Sequence, residues 1–429
     1  MIKVVHIVNG TSEANSIRKS TAISEKIYDK VKLIIAEVIK YGDKALFDYT
    51  AKLDGAKIKD FRVTTEETSR AYEYVNEKQQ RSLRVMKERL AMNELELLKR
   101  LKRIVTISNG IRLERISKPL DSVGCYIPGG MARYPSTVIM CATPAKIAKV
   151  KRIVVVSPPL KDGSMDPLTL VAADMCGIDE IYKIGGAQAI AGLAYGTDTI
   201  SKVDKIVGPG GFYVNVAKIL VSKDVGIDMI AGPTELLIYA DASANPTTVC
   251  KDLIAQAEHS PDTLCGMVTV SKTLVNQVKI CLRNLIFSES LPRREIIRKS
   301  ILNNSFIGLC RDINSAVAFI NEMAPEHLEV ICRSPKDISA NINSAGIILE
   351  GQFTPASASD FCLGSNHVLP TKQVAKYRGG LTVLDFVKII THLSASKNGL
   401  KLVEPFVKEV ALIENLPNHY EAIKDRFIK

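Results

Sequence analysis

Ile181-Tyr182-Lys183-Ile184-Gly185-Gly186-Ala187-Gln188-Ala189-Ile190-Ala191-Gly192-Leu193-Ala194, followed after a short gap by Lys205-Ile206-Val207-Gly208, holds the fold in miniature. A β-branched run, a glycine pair, a helix-length apolar stretch and a second β-branched run make the pattern of a βαβ unit. In such a unit two parallel strands are joined by a crossover helix. The alternation extends in both directions. Strands are expected at residues 153–156, 181–184, 205–207 and 236–239, with helices at 169–175, 187–194 and 213–220.

It resumes further along. Asn245-Pro246 is a capping residue followed by proline at the first helical position, and it opens a helix that carries Leu253, Ile254 and Ala257 and stops at Pro261. Strands at 267–270, 307–310, 328–331 and 347–349 and helices at 274–285 and 313–322 follow. The fold class is therefore α/β, with two domains built on parallel-rich sheets.

The flanks read differently. Residues 4–8 form an apolar run that suits a strand or an arm. From 21 to 53, Ile23, Ile27, Val31, Leu33, Ile34, Val38 and Ile39 recur at helical spacing, enough for two helices. A long charged amphipathic tract runs over 65–101, opened by Thr65-Glu66-Glu67. Residues 104–107 and 111–116 flank Ser108-Asn109-Gly110, a hairpin signal. Past residue 381 the pattern is helical, with no strand of comparable quality. The expected division is an N-terminal segment (1–20), a discontinuous α/β domain (21–118 with 235–380), a Rossmann-like cofactor-side domain (119–234) and a helical tail (381–429).

At 429 residues the chain is long enough for two or three cores, and 46% hydrophobic against 24% charged residues is the balance of a globular protein. The net charge of +11 raises the question of nucleic acid. Its 57 Lys and Arg are scattered among 46 acidic residues, however, and there is no Trp to stack on bases. Nine cysteines form no CxxC pair and sit mostly in apolar runs, pointing to a reducing compartment. Without a signal peptide or a long apolar run, a cytoplasmic, non-membrane enzyme is expected.

Four glycine turns follow or adjoin strands: Tyr126-Ile127-Pro128-Gly129-Gly130, Ile184-Gly185-Gly186-Ala187-Gln188, Val207-Gly208-Pro209-Gly210-Gly211 and Ala231-Gly232-Pro233-Thr234-Glu235. Each serves either to bring backbone N–H groups to a phosphate or simply to make a tight connection. None matches GxGxxG, since Tyr213 occupies the third glycine's place.

The polar groups concentrate later. Gln256 and His259 share one helical face near a C-terminus, suited to a divalent metal or polar substrate; His259 equally suits capping its own helix. Glu326-His327 lies at a helix-to-strand junction between apolar flanks. There a carboxylate can activate water and an imidazole can move a proton near neutral pH, unless the pair is surface decoration. Asp360 ends a small-residue loop, as a ligand or as a helix cap. Together with His419 in the tail, Gln256, His259 and Asp360 make an N/O set for a borderline metal such as Zn²⁺, provided the tail folds back or comes from a neighbouring subunit.

These motifs, with Ala324-Pro325-Glu326-His327-Leu328-Glu329 and Asn366-His367-Val368-Leu369-Pro370-Thr371, resemble those of the L-histidinol dehydrogenase family over nearly the whole chain. The resemblance implies four-electron, NAD-dependent oxidation of L-histidinol to L-histidine through L-histidinaldehyde, the last two steps of histidine biosynthesis. It implies one Zn²⁺ per subunit held by Gln256, His259, Asp360 and His419. Glu326 and His327 become the acid/base pair: His327 takes the alcohol proton in the first oxidation, and Glu326 activates water in the second. Thr234, Gln256, His259, His327, Asp360, Glu414 and His419 become substrate contacts, and Tyr126, Gln188 and the position of Gly211 cofactor contacts. It further implies a homodimer of two incomplete Rossmann-like domains per subunit, whose tail reaches into the partner's site.

The chain departs from the family pattern at several places. Gly211 replaces a usual asparagine, Thr234 a serine and Ser359 a glycine, while Leu363 and Ser365 alter a usual Ser-Gly-Thr-Asn-His run. Two alternatives follow: a paralogous NAD-dependent dehydrogenase for another small hydroxylated substrate, and a basic binding protein that kept the fold without the chemistry.

Overall fold

The structure, a computed structural model, describes residues 2–18, 25–101, 103–129, 133–230 and 232–427. Gly130 and Ala231 of the quoted turns, and Ile23 of the first helical tract, lie outside them. In chain order the strands are β1 (Lys3–Ile7), β2 (Arg103–Ser108), β3 (Ile111–Pro119), β4 (Ser122–Tyr126), β5 (Arg152–Ser157), β6 (Glu180–Lys183) and β7 (Lys205–Val207). They continue as β8 (Gly226–Ile227), β9 (Glu235–Ala240), β10 (Leu264–Thr269), β11 (Phe306–Cys310), β12 (His327–Ile331), β13 (Ile347–Glu350) and β14 (Val387–Ala395).

Two sheets form the frame, ordered β6-β5-β4-β7-β8 and β1-β11-β10-β9-β12-β13. Every pairing in both is parallel. Helices cover both faces of such sheets, so β5 and β9 are apolar at consecutive positions and buried almost throughout. The α/β class and the two parallel-rich sheets thus stand as the sequence suggests. In the first sheet β4 lies between β5 and β7, the point where the winding reverses; in the second β9 lies between β10 and β12.

The N-terminal helices do not join the second sheet, as the grouping of 21–118 with 235–380 expects. Val31, Ile34, Ile35 and Val38 of the helix Glu25–Tyr41 pack in one core with Ala189, Ile190 and Leu193 of the helix Gly186–Tyr195. On the opposite face, Leu83, Met86 and Leu90 of the helix Glu77–Leu101 share a core with Val138 and Ile139. Each such side chain contributes about 1.5–3 kcal/mol when fully buried. An apolar stripe shows that a helix must dock, not which sheet receives it. Of the expected 1–20 segment, the described residues 2–18 are not separate: β1 is the edge strand of the second sheet, and the helix Thr11–Arg18 packs on the helix Ile313–Met323.

The 381–429 tail also requires correction. It contains β14, which pairs antiparallel along β3, itself paired with β2 across the Asn109-Gly110 turn. Both turn residues have positive φ, 50° and 77°, as that hairpin turn demands. In β14 the alternating Val387, Ile389, Thr391, Leu393 and Ala395 are blurred by the adjacent Ile390, and nearly all of the strand is exposed. The helices Lys397–Ile413 and Pro417–Lys424 then complete the tail. No helix among the described residues is long and apolar enough to cross a membrane.

Candidate active site

A cleft of ≈ 660 Å³ opens between the two sheets. The first sheet supplies Pro128 and Gly129 after β4 and Pro209, Gly210 and Gly211 after β7, the carboxyl ends that flank its switch point. The second supplies Thr234 just before β9 and Glu326 and His327 at the start of β12, which are amino ends. Gln256, His259 and Asp360 complete the wall.

The helix Pro246–Ala257 presents Gln256. Its start is fixed by the Asn245 side chain, which accepts from the Thr247 amide, and its inner face by Val249, Cys250 and Leu253. Gln256 donates from Nε2 to Thr234 Oγ1 at 2.7 Å, and Thr234 donates in turn to Glu326 Oε2 at 2.5 Å. The Glu235 amide donates to the same Oε2 at 2.7 Å. Two donors therefore hold one oxygen of Glu326 and leave Oε1 for chemistry.

His327 is buried, with Nδ1 3.1 Å from the Glu235 carbonyl and Nε2 3.0 Å from Asp360 Oδ1. Burial alone would lower its pKa, but the charge of Glu326 and the hydrogen bond to Asp360 outweigh it and hold the imidazole well above its usual value. Burial pushes the Asp360 carboxyl up, yet the bond and charge of His327, with His367 and His259, keep it below the ordinary range. His367 holds the Asp360 carbonyl through Nδ1 at 2.9 Å and meets Thr137 Oγ1 through Nε2 at 3.2 Å; burial lowers its pKa.

Of the two sequence readings of His259, the structure shows the capping one. Its Nδ1 is 3.1 Å from the Gln256 carbonyl, a capping contact that also turns Nε2 away from the helix end. Asp360 is both C-cap of the short helix Ala356–Ser359 and cleft wall. Glu414 and His419 do not line this cleft; they sit on the exposed tail. Asp252, Glu329 and His367 line it without having been singled out as site residues. Spacing offered a signal for two of them: Asp252 is one helical turn before Gln256, and Glu329 is two residues after His327 on the same strand face.

The donor set fits a divalent metal in part. Gln256 Nε2 and His259 Nδ1 are engaged by protein, which orients Oε1 and Nε2 as ligand atoms in the way outer partners do. Among the described residues, no three His, Cys, Asp or Glu converge on a metal-sized site. For a metal held here, Gln256, His259 and Asp360 would be the residues of one subunit able to bind it, and a fourth ligand would have to come from elsewhere.

Tyr126 and Gln188 are buried beneath the glycine turns and do not line the cleft. The Tyr126 hydroxyl accepts from the Gly186 amide at 3.1 Å. The Gln188 amide, fully buried, has neither its oxygen nor its nitrogen hydrogen-bonded, an orphan of the kind that a bound polar ligand relieves. The Gly208 amide is engaged by Asp228 at 2.7 Å, so this turn owes part of its shape to an internal carboxylate. Gly211 lines the cleft, and a Cβ there would meet nothing within 4 Å.

The sequence profile of the histidinol dehydrogenase family matches residues 17–427. The chain belongs to the histidinol dehydrogenase family. It is 41% identical to the histidinol dehydrogenase of Methanocaldococcus jannaschii over 428 residues, 99% of this chain and 98% of that one. With the Clostridium acetobutylicum histidinol dehydrogenase it shares 44% over 404 residues, 94% and 93% of the two chains. The crystal structure of histidinol dehydrogenase from Elizabethkingia anophelis superposes with a TM-score of 0.94 at 33% identity, covering 99% and 98%.

Within this oxidoreductase family the departures around Asp360 become interpretable. Ser359 is buried, and its hydroxyl lies 2.8 Å from that of Ser365. The two substitutions thus bond to each other, not to the cleft. Leu363 is not part of the cleft wall.

Proposed function

We propose that the chain oxidises L-histidinol to L-histidine through L-histidinaldehyde, a four-electron reaction of histidine biosynthesis carried out in the cytoplasm. It would use two NAD in succession and one Zn²⁺ per subunit. The observation that carries this reading is the convergence of two hydrogen-bonded series, Gln256–Thr234–Glu326 and Glu235–His327–Asp360, in one cleft. The pairing of Ser359 with Ser365 away from the substrate side favours histidinol over a different alcohol.

Gln256, His259 and Asp360 would hold the metal, which would supply a Lewis-acid anchor for the substrate's nitrogens, and a bound NAD would supply the hydride acceptor. Everything else falls to side chains. With His327 Nδ1–H donating to the Glu235 carbonyl, Nε2 is the atom that would take the alcohol proton, once Asp360 Oδ1, which now accepts from it, turns to the metal. Glu326, held at Oε2, takes a proton through Oε1 from the water that adds to the aldehyde. His419 and Glu414 would come from a second copy of the chain. The exposed stripe Leu402, Phe406, Val410 and Ile413 on the helix Lys397–Ile413 supports a homodimer, since it leaves the tail an unpartnered apolar face.

The test is L-histidinol-dependent NAD reduction by the purified protein before and after chelation. Reduction that is lost on chelation and restored by Zn²⁺ is expected. Zinc-loaded protein that ignores L-histidinol would overturn the substrate, and unchanged activity after complete metal removal would overturn the metal.

A further inference from the structure

We propose that Glu329 is the positioning residue of this site: its carboxyl ties the strand of His327 to the short helix that ends in Asp360 and to the helix that carries Gln256 and His259. The inference rests on the proposed zinc-dependent reading of the cleft and deepens it.

Glu329 lies two residues beyond His327 on β12, so the two side chains leave the strand on the same face. It is 1% exposed yet contributes to the cleft wall. Its Oε1 accepts from the Ala356 amide at 2.7 Å. Ala356 is the first residue of the helix Ala356–Ser359, and its own carbonyl accepts from the Asp360 amide at 2.8 Å. One residue thus links the Glu329 carboxyl to the Asp360 backbone.

The second oxygen, Oε2, is buried without a hydrogen-bond partner. The charge that acts on Glu329 most strongly is that of Asp252, which stands four residues before Gln256 on the helix Pro246–Ala257 and lines the same cleft. Burial pushes both carboxyls upward and the charge of Asp252 adds to the rise at Glu329, whereas Glu329 holds Asp252 lower, so a proton shared by the pair supplies the donor that Oε2 lacks. Glu329, on the strand of His327, then meets both elements that present the proposed ligands of one subunit, though no proposed ligand bonds to it directly. An outer partner of this kind typically changes metal affinity by about 10–100-fold when removed.

The experiment measures the zinc dissociation constant of the full-length protein by chelator competition, together with KM and kcat for L-histidinol, in wild type, Glu329→Gln and Glu329→Ala. Glutamine keeps an acceptor for Ala356 and a donor for Asp252. Its zinc affinity and KM should therefore stay within about threefold of wild type, inside the ordinary scatter of a retained hydrogen bond. Alanine should weaken zinc by about 10–100-fold and raise KM more than it lowers kcat. If Glu329→Ala does not fold, Asp252→Ala keeps the Ala356 bond and should weaken zinc by about tenfold. Zinc affinity unchanged in a folded alanine variant overturns the role, and so does glutamine failing as badly as alanine. Wild-type protein that binds no zinc overturns the reading beneath it as well, which separates the two failures.

Discussion

Glu326 and Thr234 show how one oxygen decides a role. Because Oε2 is held by the Thr234 hydroxyl and the Glu235 amide, Glu326→Gln keeps the geometry and removes only the base. Aldehyde oxidation should fall by about 10²–10⁴-fold and alcohol oxidation far less; separate assays of the two half-reactions check this, and equal losses would contradict the assignment. Gly211 has an ordinary extended backbone, φ −70° and ψ −178°, and open space beside it, so no steric need explains the glycine. Gly211→Asn should tighten NAD binding measured by calorimetry, by about 0.5–1.5 kcal/mol for one hydrogen bond. Glu94 offers a pH dependence. Burial raises its pKa to about 7 against an ordinary 4.5, even though the Val383 amide donates to it at 2.6 Å. The folded protein therefore takes up a proton there that the unfolded chain releases, so this contribution is present below about pH 4.5 and lost as pH rises through 7. Glu94→Gln should remove that loss, melting higher than wild type at pH 8 by an amount of order 2 kcal/mol and little different at pH 4.5. Parallel melting curves at the two pH values would refute it.

At the scale of elements, the sequence was most legible where side-chain period and cap agreed. Asn245-Pro246 opens the Gln256 helix as its residues dictate, and Asn245→Ala should cost about 1 kcal/mol in denaturant unfolding. The same logic failed where burial erases the period. The helix Pro135–Ile147 buries Ser136, Thr137 and Thr143 along with its apolar residues, so no polar face marks it. The central strand β4 escaped notice because it contains Gly124, where a Cβ would collide with Leu193. Strand β14 failed for the opposite reason, having almost no buried face to impose alternation. The candidate site followed the same rule in part: Glu326 and His327 stood between apolar flanks and Gln256 and His259 shared one helical face, whereas Asp360 ended a small-residue polar loop. Asp252 and Glu329 stood in the same helix and strand, but their meeting depends on how a helix crosses a sheet, which no local pattern encodes. The glycine turns were ambiguous by nature. Around Gly208 the answer depended on Lys218 and Asp228, a buried pair that fastens the turn through the Gly208 carbonyl and amide.

Over the whole molecule, the site is built where the carboxyl end of one sheet meets the amino end of another, and the tail is left outside. Chain topology leaves two residues, Glu414 and His419, without a place in the cleft of their own subunit. The proposed sharing of each site between two subunits makes a specific demand on mixed dimers. His259→Asn and His419→Asn should each be inactive alone, whereas subunit exchange between them should restore about a quarter of wild-type activity, one intact site in each mixed dimer. No restoration after demonstrated exchange would mean that one subunit supplies both residues to a site. The most direct measurement is the number of NADH formed per L-histidinol consumed by zinc-loaded protein, followed to completion. Two NADH with L-histidine as product is the expected result. One NADH with the aldehyde as end product, or no turnover, would contradict a four-electron oxidation in which Glu326 and His327 serve successive steps.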